Sequence, residues 1–343
     1  MEKKISINML SSADKVPGQG VGSAYLELIK LLKEEAEDEF DVKINKGIKY
    51  DILHAHTIDL QNYFKLKLTK GKKIAYVHFL PDTLDGSIKL PKPIFKIFKK
   101  YVINFYKSAD KLVVVNPIFI KDMVDAGLDE NKISYIPNFV SKEEFHKINK
   151  SEINKLKEKY GIKKDSFVVL GAGQVQTRKG VLDFIEVAKK MKDITFIWAG
   201  GFSFGAMTDG YAKLKEIMDN PPSNVKFIGI IPREEMNNIY NIADVLFVPS
   251  YNELFPMTIL EAMSSETPLL LRNLELYEDI LFNKYLSGNT NQDFINELNL
   301  LKNDKEYYKK AVNNSKEVSE FYSKEHVLEM WEELYKETCL EEK

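Results

Sequence analysis

Short apolar runs rich in Val and Ile alternate along this chain with longer stretches in which apolar residues recur every three to four positions. The first pattern is that of a buried strand, and the second that of a helix with one apolar face. Their alternation predicts an α/β fold of parallel sheets built from strand–helix–strand units. In the front half, strands are predicted at 5–10, 51–54, 73–78, 112–116 and 133–136. In the back half they are predicted at 167–171, 194–199, 225–228, 245–248 and 269–271. These two sets predict two doubly wound sheets, separated by a Lys- and Glu-rich stretch at 141–165. The expected organisation is a first domain at 1–150, a second at 151–320 and a closing helix at 321–343. In that helix Tyr322, His326, Met330 and Leu334 recur every four residues.

Composition excludes several classes. A chain of 343 residues, 44% hydrophobic and 29% charged, suits a globular protein with a full core. Cys339 is the one cysteine, so neither an intrachain disulfide nor a cysteine-rich zinc site can form. No apolar run reaches the roughly 18–20 residues of a spanning helix. The apolar stretch within Met1–Leu10 is too short for a secretory leader. A cytoplasmic location with at most peripheral membrane contact is therefore expected. Net charge is −2, with a mildly basic front half and an acidic back half. That balance leaves no electrostatic footprint for nucleic acid.

Ligands of open α/β sheets gather at the carboxyl ends of the strands, so the segments that follow strands hold the candidates. Ser11–Ser23 (SSADKVPGQGVGS) follows the first strand and leads into a helix. Its glycines, Gly20 and Gly22 among them, allow close approach of backbone to a ligand, although such turns are common without one. Gly171–Gly180 (GAGQVQTRKG) opens the back domain, with Gly173 in its turn. Arg178 and Lys179 end it beside a predicted helix; the pair suits a diphosphate or forms a solvated basic turn. Pro249–Met263 (PSYNELFPMTILEAM) is the most specific segment. Glu253 lies on the loop before a helix starting near Pro256, and Glu261 lies one to two turns along it. Two carboxylates that accept paired hydrogen bonds from vicinal hydroxyls suit a sugar-bearing ligand. Leu260, Ala262 and Met263 leave Glu261 little outward surface. His78 ends a strand, as do His54 and His56; a strand-end histidine is more often a structural hydrogen-bonder than a catalyst. No clear set of further ligands for a zinc ion accompanies them.

The segment 86–109 holds six lysines, including Lys92, Lys96, Lys99 and Lys100, and no acid. Phe95, Phe98, Tyr101, Phe105 and Tyr106 are interleaved with them. A basic amphipathic helix of this kind is either an anchor for anionic lipid or a core helix with a solvated lysine face.

Together these segments resemble the GT-B glycosyltransferases, specifically the retaining enzymes of family 4, over nearly the whole chain. Glu253 and Glu261, followed by Ala262–Met263, match that family's E-x7-E motif. GAGQVQTRKG is similar to its donor-phosphate loop, Gly20–Gly22 to its N-terminal glycine loop, and His78 to the histidine beside the reacting centre. The sequence departs from the family at Gln174, where arginine is usual, and at Glu266, where glycine is usual. The resemblance implies two Rossmann-like domains facing each other across a cleft, with the C-terminal helix returning to the first. It implies a nucleotide-sugar donor whose ribose is held by Glu261. The sugar is held by Glu253 and the backbone at Phe255, Pro256 and Met257, with His78 beside the anomeric carbon. Arg178 and Lys179 would neutralise the leaving diphosphate.

SSADKVPGQGVGSAYLEL and GQVQTRKG look most like bacterial glycolipid synthases. The expected activity is transfer of glucose or galactose from a UDP-sugar to monoglucosyldiacylglycerol at an anionic membrane surface, on the inner face of the cell membrane. No D-x-D triplet occurs, so no metal or other cofactor is expected. Two other readings stand: an enzyme acting on a polyprenyl-linked or soluble glycan, and a catalytically silent glycosyltransferase-like partner subunit. Oligomeric state is not legible in the sequence.

Overall fold

The computed structural model describes residues 3–340 apart from 14–19, 79, 81–91, 204, 206–207 and 254. The chain divides into two compact units, Met1–Phe139 with Lys324–Lys343, and Val140–Ser323. The first ends before the expected boundary at 150 because the next residues are tied to the second unit. The backbone N–H groups of His146 and Ile148 donate to the side chains of Asn237 and Asn241, at 3.1 and 3.0 Å.

The strands of the first unit are β1 (Ile5–Leu10), β2 (Phe40–Ile44), β3 (Ile52–Ala55), β4 (Lys72–Val77), β5 (Lys111–Val114) and β6 (Ile133–Tyr135). All pair in parallel, in the order β2-β1-β3-β4-β5-β6. Its helices are α1 (Gly20–Glu34), α2 (Leu60–Leu68), α3 (Lys92–Lys107) and α4 (Phe119–Asp125).

The second unit holds α5 (Lys150–Lys159), β7 (Val168–Ala172), α6 (Val181–Lys190), β8 (Thr195–Ala199), α7 (Tyr211–Asp219), β9 (Val225–Gly229) and α8 (Arg233–Ile242). After these come β10 (Val245–Val248), α9 (Met257–Ser264), β11 (Leu269–Arg272), α10 (Leu276–Ile280), β12 (Leu286–Gly288), α11 (Asn291–Asn303) and α12 (Lys305–Phe321). Its sheet is also parallel, in the order β12-β11-β10-β7-β8-β9. The last helix, α13 (Lys324–Leu340), belongs to the first unit. Trp331 and Tyr335 are buried there, and Lys324 and Lys336 pair with Glu35 and Glu39.

The central strands are covered on both faces, as apolar runs in a parallel sheet require. In the first unit Leu53, Ala75, Val102, Phe105 and Leu112 share one cluster. In the second, Val169, Phe184, Phe196, Phe247 and Phe294 do so.

Glu266 stands where the family usually has glycine, and its φ is 58°, in the left-handed region. It ends α9, where Thr267 N–H reaches back to the Ala262 carbonyl at 2.8 Å. That closure demands a left-handed residue, which costs an ordinary side chain roughly 1–2 kcal/mol. The Glu266–Lys316 pair at 3.6 Å is half-exposed and returns little of this. Glu266→Gly should therefore stabilise the protein by about 0.5–1 kcal/mol. The check is the unfolding midpoint; an unchanged or lower value contradicts the argument.

Candidate functional site

In the second sheet β7 lies between β8 and β10. The chain leaves β7 through α6 toward β8 and β9, then returns to the other flank of β7 as β10. With right-handed crossovers, the connections after β7 and β10 leave on opposite faces and open a crevice at the carboxyl edge. The two candidate segments of this unit follow these two strands.

Gly180 is where the segments meet. Its φ is 70°, and a Cβ there would lie 2.2 Å from the Pro249 carbonyl oxygen, so only glycine fits. Just before it, residues Thr177–Lys179 form one tight turn. Tyr251 N–H donates to the Arg178 carbonyl at 2.8 Å, and the Arg178 guanidinium donates to the Asn252 carbonyl at 3.2 Å. Lys179 Nζ lies 2.5 Å from Glu253 Oε1, and both side chains are largely buried. Burial pulls the Lys179 ammonium below its ordinary pKa, against the raising pull of Glu253. The structure thus joins two residues singled out separately, one for phosphate and one for sugar. Gly173, at the head of the first segment, has open space where a Cβ would point.

Phe255 is buried, with its ring 5.1 Å from that of Tyr322. Met257 is the first residue of α9, whose opening N–H groups have no partner within the helix. One turn on, Glu261 is buried with both oxygens engaged. Oε1 accepts from Arg233 Nη1 at 2.6 Å, and Oε2 from the Tyr240 hydroxyl at 2.6 Å. A carboxylate offers about four lone-pair positions, so capacity remains for two hydroxyls. Burial first, then Glu261, raises the Tyr240 pKa and keeps its proton in place. Arg233 and Tyr240 were not foreseen from the sequence. Their spacing of seven puts both on one face of α8, which was the available signal.

In the first unit, His78 directly follows β4 and is buried against Tyr76, with ring centroids 4.3 Å apart. Its Nε2 is 3.4 Å from His56 Nδ1, and His54 Nδ1 is 2.9 Å from the Tyr335 hydroxyl. Burial pushes His54 and His78 down to about 3, and His56 well below its ordinary value. All three imidazoles are neutral at physiological pH, so His78 offers one donor and one acceptor rather than a charge. Among the described residues, no group of three or more His, Cys, Asp or Glu could hold a metal ion.

The histidines make stability pH-dependent. Folded values below the unfolded value near 6.5 mean that the unfolded chain binds more protons below that pH. Their contribution is complete above pH 6.5 and is lost as pH falls toward 3. The melting midpoint should drop between pH 7 and 5, before most carboxylates titrate, and His54→Asn should flatten that slope. An identical slope in the variant contradicts this.

Gly20 and Gly22 lie in the first turn of α1 rather than in the loop expected for them; the preceding residues 14–19 are outside the described set. The basic segment forms α3 from Lys92 onward, and 86–91 are likewise outside. The second half of α3 is core, with Val102, Phe105 and Tyr106 buried. The first half exposes Lys96, Lys100, Ile94 and Ile97, and Lys99 is half-buried. Among the described residues, no helix is long and apolar enough to cross a membrane.

Two family models match the chain. Glycosyltransferase Family 4 covers residues 17–144, and Glycosyl transferases group 1 covers residues 152–318. The chain is 48% identical over 336 residues to the alpha-galactosylglucosyldiacylglycerol synthase of Streptococcus pneumoniae, covering 97% of this chain and 90% of that one. It is 28% identical over 248 residues to the processive diacylglycerol alpha-glucosyltransferase of Acholeplasma laidlawii, covering 71% and 73%. Among solved structures it resembles Anabaena HepE in complex with UDP and glucose, with a TM-score of 0.78 at 16% identity over 97% of this chain and 99% of that one. That likeness shows the fold expected from the resemblance, two Rossmann-like sheets of the GT-B type.

Proposed function

The chain belongs to glycosyltransferase family 4, and from that premise we propose that it transfers galactose from UDP-galactose to monoglucosyldiacylglycerol with retention, giving an α-linked diglycosyl lipid. The observation that carries the acceptor and the sugar is the near-full-length identity to the streptococcal synthase, whose name describes galactose, glucose and diacylglycerol in one product. The crevice beside β7 and β10 supports the donor: a buried cation, two buried carboxylates and a helix N-terminus stand within one unit. Glu261 takes the ribose hydroxyls, and Glu253 and the backbone at Phe255–Met257 take the sugar; within the first unit, the neutral imidazole of His78 is the candidate for a hydrogen bond to substrate.

In the transfer, the acceptor hydroxyl oxygen bonds to the anomeric carbon as the bond from that carbon to the diphosphate oxygen breaks. The diphosphate leaves with the electron pair, and the hydroxyl proton balances its charge. Arg178 and Lys179 stabilise that developing charge. Gln174 supplies no cation where arginine is usual, which leaves Arg178 and Lys179 as the charged groups of the loop.

The acceptor is a lipid, so the enzyme must work at a bilayer surface. The exposed lysines at the start of α3 suit the cytoplasmic leaflet, which carries anionic lipid. The test is an assay of UDP-galactose and UDP-glucose, each against monoglucosyldiacylglycerol and diacylglycerol. Product only from UDP-galactose with the monoglucosyl lipid is expected. Transfer from UDP-glucose to diacylglycerol overturns the assignment of donor and step, and donor hydrolysis without lipid transfer overturns the acceptor.

A further inference from the structure

Helix α2 is amphipathic in an unusual sense, because its outward face carries the large apolar residues. Asn62 and Leu66 are buried, whereas Leu60, Phe64 and Leu68 are 63%, 62% and 67% exposed. Single exposed leucines are ordinary. Three large residues at i, i+4 and i+8 form a continuous row along one helix. No acidic residue occurs from 60 to 81, and Lys65, Lys67 and Lys70 accompany the row.

The helix is fastened to α3. The ring of Tyr63 lies 5.7 Å from that of Tyr101 and 5.9 Å from that of Phe105, and the Tyr101 hydroxyl donates to the Ile58 carbonyl. Topology fixes the direction of both helices. Each follows a strand of the parallel sheet, so each begins at the carboxyl edge, the edge at which His78 stands. Leu60 begins one helix there, and Ile94, Lys96 and Ile97 begin the other.

We propose that α2 is a second membrane-inserting element, in which Leu60, Phe64 and Leu68 enter an anionic bilayer beside α3. This rests on the reading that the protein works at a membrane, and it adds a docking surface to the one expected at 86–109. Apolar side chains flanked by lysines, with the acid at the helix start, Asp59, held by the Ser12 and Thr57 hydroxyls, match an interface of acyl chains beneath anionic headgroups. A second copy of the chain would present the same lysines and repel them. A bilayer also suits the arrangement because both helices begin at the same edge of one sheet, so that a single planar surface can meet both.

The experiment is fluorescence of full-length Phe64→Trp on vesicles of equimolar phosphatidylglycerol and brominated phosphatidylcholine. The native Trp198 and Trp331 are buried, so the parent protein reports the background. Quenching and a blue shift in the variant alone support insertion of α2. Flotation of the variant with vesicles but no quenching overturns insertion of α2 and leaves docking through α3 standing. Absence of flotation for the parent protein overturns the membrane reading, and this inference with it. A second variant, Leu60→Ser/Phe64→Ser/Leu68→Ser, should lower vesicle partition roughly tenfold or more in high salt, where lysine attraction is screened. If that variant instead converts a lipid-free dimer to a monomer in sedimentation, the row is covered by a second copy and the proposal falls.

Discussion

Replacing Lys179 by methionine should lower turnover on the order of a hundredfold, because it removes a cation aimed at charge that develops as the diphosphate departs. The structure adds a second effect that must be separated from the first. Lys179 Nζ is 2.5 Å from the buried Glu253, so the single variant strands a carboxylate away from water. Breaking one side of a buried pair costs about 3–5 kcal/mol of stability. The paired variant Lys179→Met/Glu253→Gln removes both charges and should recover most of that stability, since no buried charge is left alone. Turnover should not recover with it, because neither the cation nor the carboxylate has been restored. The two readouts are the melting midpoint and the rate of transfer at saturating donor. Wild-type turnover in Lys179→Met would show that the loop after β7 does not contact the phosphates. Recovery of both quantities in the double variant would assign the pair to folding alone.

That pair also marks how far the sequence could be read. Lys179 and Glu253 stand out as charges on the loops that follow two strands, and Glu261 as a charge that interrupts an apolar helix, where it has little structural use. Their mutual arrangement is not written locally. Lys179 and Glu253 meet because the two loops flank the same switch in strand order, which depends on β10 returning beside β7. Arg233 and Tyr240 reach Glu261 from positions 28 and 21 residues away, on a helix with an ordinary polar composition. The strands show the same division. The central strand β10 is an uninterrupted apolar run, and β4 becomes one after its two leading lysines, because both faces are covered. The edge strands β2 and β12 were missed. Asp41 and Lys43 break the apolar run in β2, whose burial alternates, and β12 is three residues long. In α3, aromatic and lysine residues are interleaved, and periodicity alone does not say which aromatics face the core. The sheet does: Val102, Phe105 and Tyr106 turn inward, and the exposed apolar residues are Ile94 and Ile97.

Reversing Lys96 and Lys100 to glutamate should release the protein from anionic vesicles while leaving hydrolysis of free UDP-sugar intact. Both side chains are exposed on the first half of α3, so the change does not disturb the packed half formed by Val102, Phe105 and Tyr106. Lys99 is left in place because it is half-buried and has an interaction of its own. Each unit of charge near an anionic leaflet contributes on the order of 1 kcal/mol, and two reversals change four units. The expected loss is about 4 kcal/mol, or roughly a thousandfold in partition, at low ionic strength. The attraction is screened over about 8 Å at physiological salt, so wild-type binding should weaken as salt rises and the variant's should change little. Donor hydrolysis should persist because Lys179, Glu253 and Glu261 all belong to the second unit. Transfer to lipid in vesicles should fall with binding, whereas transfer to acceptor dispersed in neutral detergent should not. Vesicle binding undiminished in the double reversal would make α3 a core helix with a solvated lysine face, and the membrane would have to be met elsewhere on the protein.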